Sequence, residues 1–340
     1  YGLSFLTVFC FALISTKIKP LLLLSATILC GLWFYGQNRL QNYPETLMHP
    51  INIRLVQPCI EQQGIWTPET RYDNLARHIE LSQLAGERPL HAVIWPESSV
   101  PFFIGQQPLF QSLLQESVPP HGLLIVGGPR LDTQSNVLHA SLFAINTQGS
   151  IVGTYDKAHL VPFGEYVPLK ALLPFNKLSH GSRDYTPGTG IQTLNVAPLP
   201  PFSPLICFEA IFPSAVTLAG QPPQWLLNIT NDAWYGLSSG PSQHLQNVRV
   251  RAIEEGLPLV RSANNGISAV IDPMGRILYQ LSTDVVGYID FQLPRALAST
   301  TIYAKYRDMF FWLFVCLIAA WLLRTCIKDP IRSITKIGVN

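Results

Sequence analysis

SPLICFEAIFP, residues 203–213, decides how this chain folds. Four residues that suit a buried strand run into Cys207, and Phe208-Glu209 then break the apolar run. A short apolar run bounded by breakers reads as a buried strand, and its end is where an α/β scaffold presents reactive groups. Two other stretches have the same grammar. HAVIWPESSVPF (91–102) carries Glu97 just past a strand-like run, and IVGTYDKAHLVPFGEYVP (151–168) carries Lys157 just past another. INIRLV (51–56), LLIV (123–126), SLFAI (141–145), LLNI (226–229) and SAVI (268–271) also read as buried strands.

Helical segments alternate with these strands. Thr67-Pro68-Glu69 supplies an N-cap, a first-turn proline and a first-turn acid, and predicts a helix to about Leu84. A second helix is predicted over Gln243–Glu255, with Leu245, Val248, Ala252 and Ile253 on one face. Alternation of this kind predicts a layered α/β domain over residues 50–295. Residues 162–205 are dense in proline and glycine and read as a long irregular excursion of the functional kind.

The flanks are of another character. Tyr1–Ser15, Leu21–Gly36 and Met309–Leu323 are uncharged, and each lacks a polar stripe. Pro20 can extend the second run, and Tyr303 and Tyr306 the third, toward the roughly 20 residues a bilayer needs. The chain is 48% hydrophobic and 13% charged, against about 25% charged in ordinary soluble domains. Residues 1–36 are therefore expected to form two transmembrane helices and 308–325 a third. No small-residue cleavage site follows Gly36, which argues against a signal peptide. Lys17 and Lys19, and Arg324, Lys328, Arg332 and Lys336, mark cytoplasmic ends by the positive-inside rule. They outnumber Lys305 and Arg307, so the large polar segment is expected outside the cytoplasm and the tail 326–340 inside it. The net charge of +2 gives no reason to expect a nucleic-acid partner. The eight histidines show no metal-ligand spacing, and no metal or other cofactor is expected.

Cys59 and Cys207 are the two cysteines of the polar segment, and a disulfide between them is chemically open in an oxidising compartment. A thiol flanked by a base and a cation is instead a nucleophile. Glu97 has the chemistry to take the Cys207 proton, and Lys157 and the Phe208 N–H to stabilise an oxyanion. Each of the three also has an ordinary structural reading: a helix-capping acid, a surface charge, a small core residue.

Together the motifs resemble the nitrilase superfamily, whose Glu-Lys-Cys triad comes in this order. NDAWYG (231–236), residues 240–275 (GPSQHLQNVRVRAIEEGLPLVRSANNGISAVIDPMG) and HLVPFGEYVP (159–168) bring the chain close to the superfamily's membrane-bound branch, the apolipoprotein N-acyltransferases. That resemblance spans residues 21–325 and implies an α-β-β-α sandwich attached to transmembrane helices. The family has more amino-terminal helices than this chain shows, so residues 1–36 are expected to be the remainder of a larger bundle. The resemblance implies catalytic roles for Glu97, Lys157 and Cys207. It implies supporting roles for Glu165, which orients the lysine, and for Glu209 and Phe208. Phe208 replaces a tyrosine common in the family, leaving its backbone N–H as the useful group. Trp66 matches a tryptophan near the family's site. Phe163, Tyr166, Trp234 and Tyr235, with Phe102, Phe103 and Phe175, are candidates to line an acyl site.

The implied activity is a ping-pong transfer. A phospholipid, phosphatidylethanolamine being the expected donor, gives its acyl chain to Cys207, and a diacylglyceryl-cysteine at an apolipoprotein's amino terminus receives it. The location implied is a bacterial inner membrane with a periplasmic catalytic domain. The alternative is a membrane-anchored amidase or nitrilase that passes the same acyl-enzyme to water.

Overall fold

The computed structural model describes residues 2–43, 46–61, 67, 70–106, 108–170 and 183–328. In chain order its elements begin with α1 (Gly2–Ser15), α2 (Lys19–Asn42), β1 (Met48–Gln57), α3 (Arg71–Gln83), β2 (Ala92–Ile94) and α4 (Pro108–Gln115). Then come β3 (Leu123–Asp132), β4 (Val137–Ile145), β5 (Ile151–Asp156), β6 (Phe202–Ile206) and β7 (Trp225–Thr230). The chain continues with α5 (Gly240–Glu255), β8 (Leu259–Ala263), β9 (Ser268–Ile271), β10 (Ile277–Leu281) and β11 (Gly287–Pro294), and ends with α6 (Ile302–Tyr306) and α7 (Met309–Lys328). Two compact units result: one from the two ends of the chain, and one over Glu45–Thr300.

In the first unit, α2 runs six residues past Gly36, the end expected from the apolar run, and Pro20 sits in its first turn. A proline there costs no hydrogen bond, because the first-turn N–H groups have no intrahelical partner. Among the described residues α2 is the one helix long and apolar enough to cross a membrane; Ser4–Ser15 and Met309–Arg324 are shorter apolar stretches. Tyr303 and Tyr306 do not lengthen the last run. Arg307 takes a left-handed φ of 52° and separates α6 from α7.

The second unit is built on two sheets, ordered β11-β1-β2-β3-β4-β5 and β10-β9-β8-β7-β6. β1, β2 and β3 are mutually parallel, as are β6, β7 and β8. Period-two alternation sorts their side chains. Ile53, Leu55, Ala92 and Ile94 face Ile206, Leu227, Ile229 and Val260 in the core between the sheets. Val56, Val93 and Trp95 pack outward with Leu75 of α3 and Leu114 of α4. On the far side Leu226 and Leu259 pack with Leu245, Val248 and Ala252 of α5. This is the α-β-β-α sandwich.

Two helix starts differ from expectation. Thr67 does not cap α3: its hydroxyl meets that of Thr70 at 3.1 Å, and the helix begins at Arg71. Pro68 and Glu69 lie outside the described residues. α5 begins at Gly240 rather than Gln243, with Pro241 in its first turn. It ends where Gly256 adopts φ 68° and returns its N–H to Ala252 O at 2.9 Å. The left-handed region carries no Cβ penalty for glycine.

Candidate active site

β2 and β3 run parallel, and β5 is antiparallel to β4, which is antiparallel to β3. The carboxyl ends of β2, β3 and β5 therefore share one edge of the first sheet. Glu97 follows β2 through Trp95-Pro96, and Lys157 directly follows β5. Cys207 directly follows β6 of the second sheet, and Asn231 directly follows the adjacent β7.

The Glu97 segment is fixed from both faces. Trp95 N–H donates to Ile125 O at 2.8 Å, and Ser99 N–H to Gly127 O at 2.9 Å, which carries the β2–β3 pairing around the loop. The Trp95 indole donates to Ser82 Oγ at 2.8 Å, and the His78 ring packs against it, tilted by 43°, at 4.8 Å. Glu97 then accepts Lys157 Nζ on Oε1 at 3.2 Å and Asn231 N–H on Oε2 at 2.9 Å. Lys157 is 1% exposed and also donates to Glu165 Oε1 at 2.8 Å. A tight turn over Val161–Glu165 presents Glu165, whose Oε2 accepts Val161 N–H at 2.7 Å. One buried ammonium thus sits between two carboxylates. The backbone of Lys157 is held as well, by Ala140 O at 2.8 Å and by Gly188 N–H at 2.8 Å.

Cys207 is half-buried and opens a 3-10 turn, Cys207–Ile211, with a left-handed φ of 55°. A non-glycine residue persists there only when its surroundings impose the conformation. Glu209, fully buried, supplies part of that constraint. Its Oε2 accepts Ile206 N–H at 2.7 Å, and its Oε1 accepts the Tyr155 hydroxyl at 2.8 Å and the N–H groups of Ala158 at 2.7 Å and His159 at 3.0 Å. One carboxylate therefore ties the turn after β6 to the segment that carries Lys157. Cys59 and Cys207 are both free thiols.

Charge in this pocket is strongly coupled. Burial pushes the Cys207 thiol up to about 12; Glu97 adds to the push, and Lys157 and the hydrogen bond to Thr230 work against it. Burial also raises the Glu97 carboxyl, opposed by Lys157 and reinforced by Glu165. For Lys157 burial works against the charge, but Glu97, Cys207 and Glu165 outweigh it and hold the ammonium well above the usual lysine value. A thiol, a carboxylate and an ammonium held in its charged form are together the groups that nucleophilic acyl chemistry needs.

The remaining expectations divide. Tyr235 lies close enough to Cys207 for the two to interact electrostatically, with burial and then Cys207 raising its hydroxyl. Trp234, its neighbour, is 53% exposed. Phe163 is exposed and Tyr166 half-buried, joined by a bond from Phe163 N–H to Tyr166 O at 2.8 Å. Phe208 packs edge-on against Phe212 at 4.9 Å. Phe102 does not line a cleft: it lies in the core beside α4, stacked on Phe110 at 4.2 Å. Trp66 and Phe175 lie outside the described residues. Asn231, in the NDAWYG motif, donates its N–H directly to Glu97. Asn228, Thr230 and Arg261 were not anticipated as part of the site. The available signal was an Asn and an Arg inside otherwise apolar strand runs, LLNI and LVRSA.

A two-sheet sandwich with a carboxylate, an ammonium and a thiol gathered at its strand ends is the architecture of a carbon-nitrogen hydrolase. Residues 52–303 match that family, and the chain belongs to it. The chain is 38% identical over 296 residues to the apolipoprotein N-acyltransferase of Rhodopseudomonas palustris, an alignment covering 83% of this chain and 55% of that protein. It is 40% identical over 339 residues to the apolipoprotein N-acyltransferase of Rickettsia bellii, covering 94% and 65% respectively. The chain thus spans between 55% and 65% of the length of these two relatives. Among solved structures, an amidase from Nesterenkonia sp. superposes with a TM-score of 0.53 at 19% identity, covering 73% of this chain and 93% of that one. A carbon-nitrogen hydrolase from Helicobacter pylori gives 0.55 at 17%, covering 72% and 89%. These likenesses show the fold.

Proposed function

We propose that this chain is the catalytic part of a membrane-embedded acyltransferase that completes lipoprotein maturation. It moves a fatty acyl chain from a phospholipid to the amino-terminal amine of a diacylglyceryl-cysteine, through a thioester on Cys207. The observation that carries this reading is the buried Glu97–Lys157–Glu165 cluster beside a strained, half-buried thiol. The named relatives and the apolar α2 turn the reading toward lipid rather than a small amide.

The electrostatics dictate the order of events. A thiol pushed up to about 12 holds its proton at neutral pH, so attack and proton removal must be coupled. Glu97 takes that proton as Sγ bonds to the ester carbonyl carbon. The carbonyl oxygen becomes an oxyanion, held by the Lys157 ammonium and the Phe208 N–H. Collapse breaks the ester C–O bond, and the departing lysophospholipid oxygen takes the proton back from Glu97. In the second half the lipoprotein amine attacks the thioester, Glu97 accepts its proton, the C–S bond breaks and the proton returns to sulfur. The donor in this proposal is phosphatidylethanolamine. The active site faces the periplasm, with Lys17, Lys19 and the basic carboxy-terminal tail in the cytoplasm.

Intact-mass analysis after incubation with phosphatidylethanolamine vesicles tests this. A long-chain acyl adduct is expected on Cys207 and discharges when a diacylated peptide amine is added. An unmodified thiol overturns the proposal. An adduct that discharges equally fast into water alone assigns the chain to the hydrolases instead.

A further inference from the structure

A buried polar network lies behind Cys207, and only its Thr230 hydroxyl, bonded to the thiol, reaches the reacting atoms. Its centre is the neighbouring strand pair β7–β8, where Asn228 and Arg261 stand directly opposite each other. Both are fully buried, as is Asp232 at 1% exposure. Asn228 Nδ2 donates to Leu205 O at 3.0 Å and to Cys207 O at 3.1 Å, the two carbonyls that flank Ile206 at the turn. Asn228 Oδ1 accepts from Arg261 Nη1. Arg261 Nη2 donates to Asp232 Oδ2 at 2.5 Å, and Arg261 Nε to Ile267 O at 3.2 Å. Asp232 Oδ1 meets the Thr230 hydroxyl and His244 Nδ1, each at 3.0 Å.

The direction of these bonds has a consequence. An amide can present either its oxygen or its NH2 to the turn. A guanidinium has donors only, so Arg261 forces the Asn228 oxygen toward itself and the NH2 toward the two carbonyls. Asp232 balances the Arg261 charge, without which a buried guanidinium would be costly. Glu209 holds the same turn from its other side, through Ile206 N–H. Cys207 therefore keeps its left-handed backbone because two carbonyls and one N–H of the turn are each bonded to a buried side chain.

We infer that Asn228, with its amide oriented by the Arg261–Asp232 pair, is a positioning residue that aims the Cys207 thiol at Glu97. The inference depends on Cys207 being the nucleophile, as the proposed function has it.

The full chain is compared with its Asn228→Asp and Arg261→Lys variants. Asn228→Asp keeps an oxygen for Arg261 but loses both donors to the turn. Arg261→Lys preserves the charge beside Asp232 but not the fork that orients the amide. Acyl-adduct formation from phosphatidylethanolamine vesicles is expected to fall about 100-fold in Asn228→Asp, the scale of a misaimed reacting group. It is expected to fall about tenfold or more in Arg261→Lys, by the same principle of misaligned reactants. Lipid half-saturation should stay unchanged, because both substituted side chains are fully buried. Alkylation of Cys207 by iodoacetamide, followed at the peptide level, should shift its pH midpoint downward in Arg261→Lys, because a misaimed thiol moves away from the Glu97 carboxylate that helps to raise it. A purely structural role would lower the fraction of folded protein without moving that midpoint. If the folded variants acylate at the wild-type rate with an unmoved midpoint, the inference is overturned. If Asn228→Asp does not fold, Arg261→Lys decides by the same two readouts. If the wild type itself forms no adduct, the transfer reading fails, and the alkylation profile still tests the positioning role.

Discussion

In the proposed mechanism Glu97 accepts a proton at one moment and releases it at the next, and its surroundings suit that task. Burial and Glu165 raise its carboxyl while Lys157 opposes them, which places its titration above the ordinary carboxylate range. The basic form is the active one in the first step. The acylation rate should therefore fall as pH drops through that raised value, with little change at higher pH. A pH profile of adduct formation checks this. Glu97→Gln should remove the limb and lower the rate by about 100- to 10,000-fold, the span of general-base contributions. Glu209 acts differently, because it faces the turn and not the reacting atoms. A glutamine there keeps one acceptor but turns an NH2 toward Ile206 N–H, leaving a buried donor unmatched at a cost of about 1–3 kcal/mol. Glu209→Gln is expected to lower both Tm and the acylation rate, measured by thermal unfolding and adduct formation. Both glutamates and Lys157 were legible from local motifs and a family likeness. Asn228 and Arg261 were not, because their roles depend on the β7–β8 register, a long-range pairing that no local pattern encodes. Phe102 misled for a related reason: whether an aromatic faces a cleft or the core is decided by what packs over it.

β1 to β7 and β9 were readable one at a time, since each apolar run is bounded by polar or turn residues; β8, β10 and β11 were not, because polar residues such as Arg261, Gln280 and Asp290 interrupt them. The pairing of the strands into two sheets was not readable either, and the site depends on that pairing. Gly127 of β3 shows how. A Cβ there would lie 2.8 Å from Glu97 Cα and 2.8 Å from Pro96 O, both backbone atoms. The strand can approach the Glu97 segment this closely only without a side chain. Gly127→Ala should push Glu97 off its bonds to Lys157 and Asn231, lowering adduct formation by about 100-fold, the scale of an ångström-sized displacement. Far-UV circular dichroism should stay native, and a variant with wild-type activity would refute the close-approach argument. The helix starts were less legible. The sequence put the helix starts at Thr67 and Gln243, but α3 begins later, at Arg71, and α5 earlier, at Gly240, because terminal turns fray and local composition does not fix them.

Across the whole molecule, two chemistries are joined in one chain: an α/β unit with a charged, buried site, and a unit of apolar helices from both chain ends. The exposed surface of α2 includes Trp33, Phe34 and Tyr35, each more than half exposed. Such apolar surface in water would be an aggregation liability, whereas in hydrocarbon it is the favoured arrangement. The chain should therefore stay in the membrane pellet after alkaline carbonate washing and leave it only in detergent. Orientation follows from charge. Lys17 and Lys19 flank the start of α2, and Arg324 and Lys328 close α7. Translocating several lysines and arginines is disfavoured, and the tendency acts most strongly close to the helix ends. In the proposed topology both clusters lie on one side and α2 and α7 both cross, which puts residues 43–300 on the other. Externally added protease should then cleave loops of the α/β unit in spheroplasts, while a reporter fused after residue 340 stays intact. If the reporter is cut and the α/β unit is spared, the charge argument has the wrong sign. A site facing the cytoplasm would also overturn the proposed function, whose acceptor amine lies on the periplasmic side.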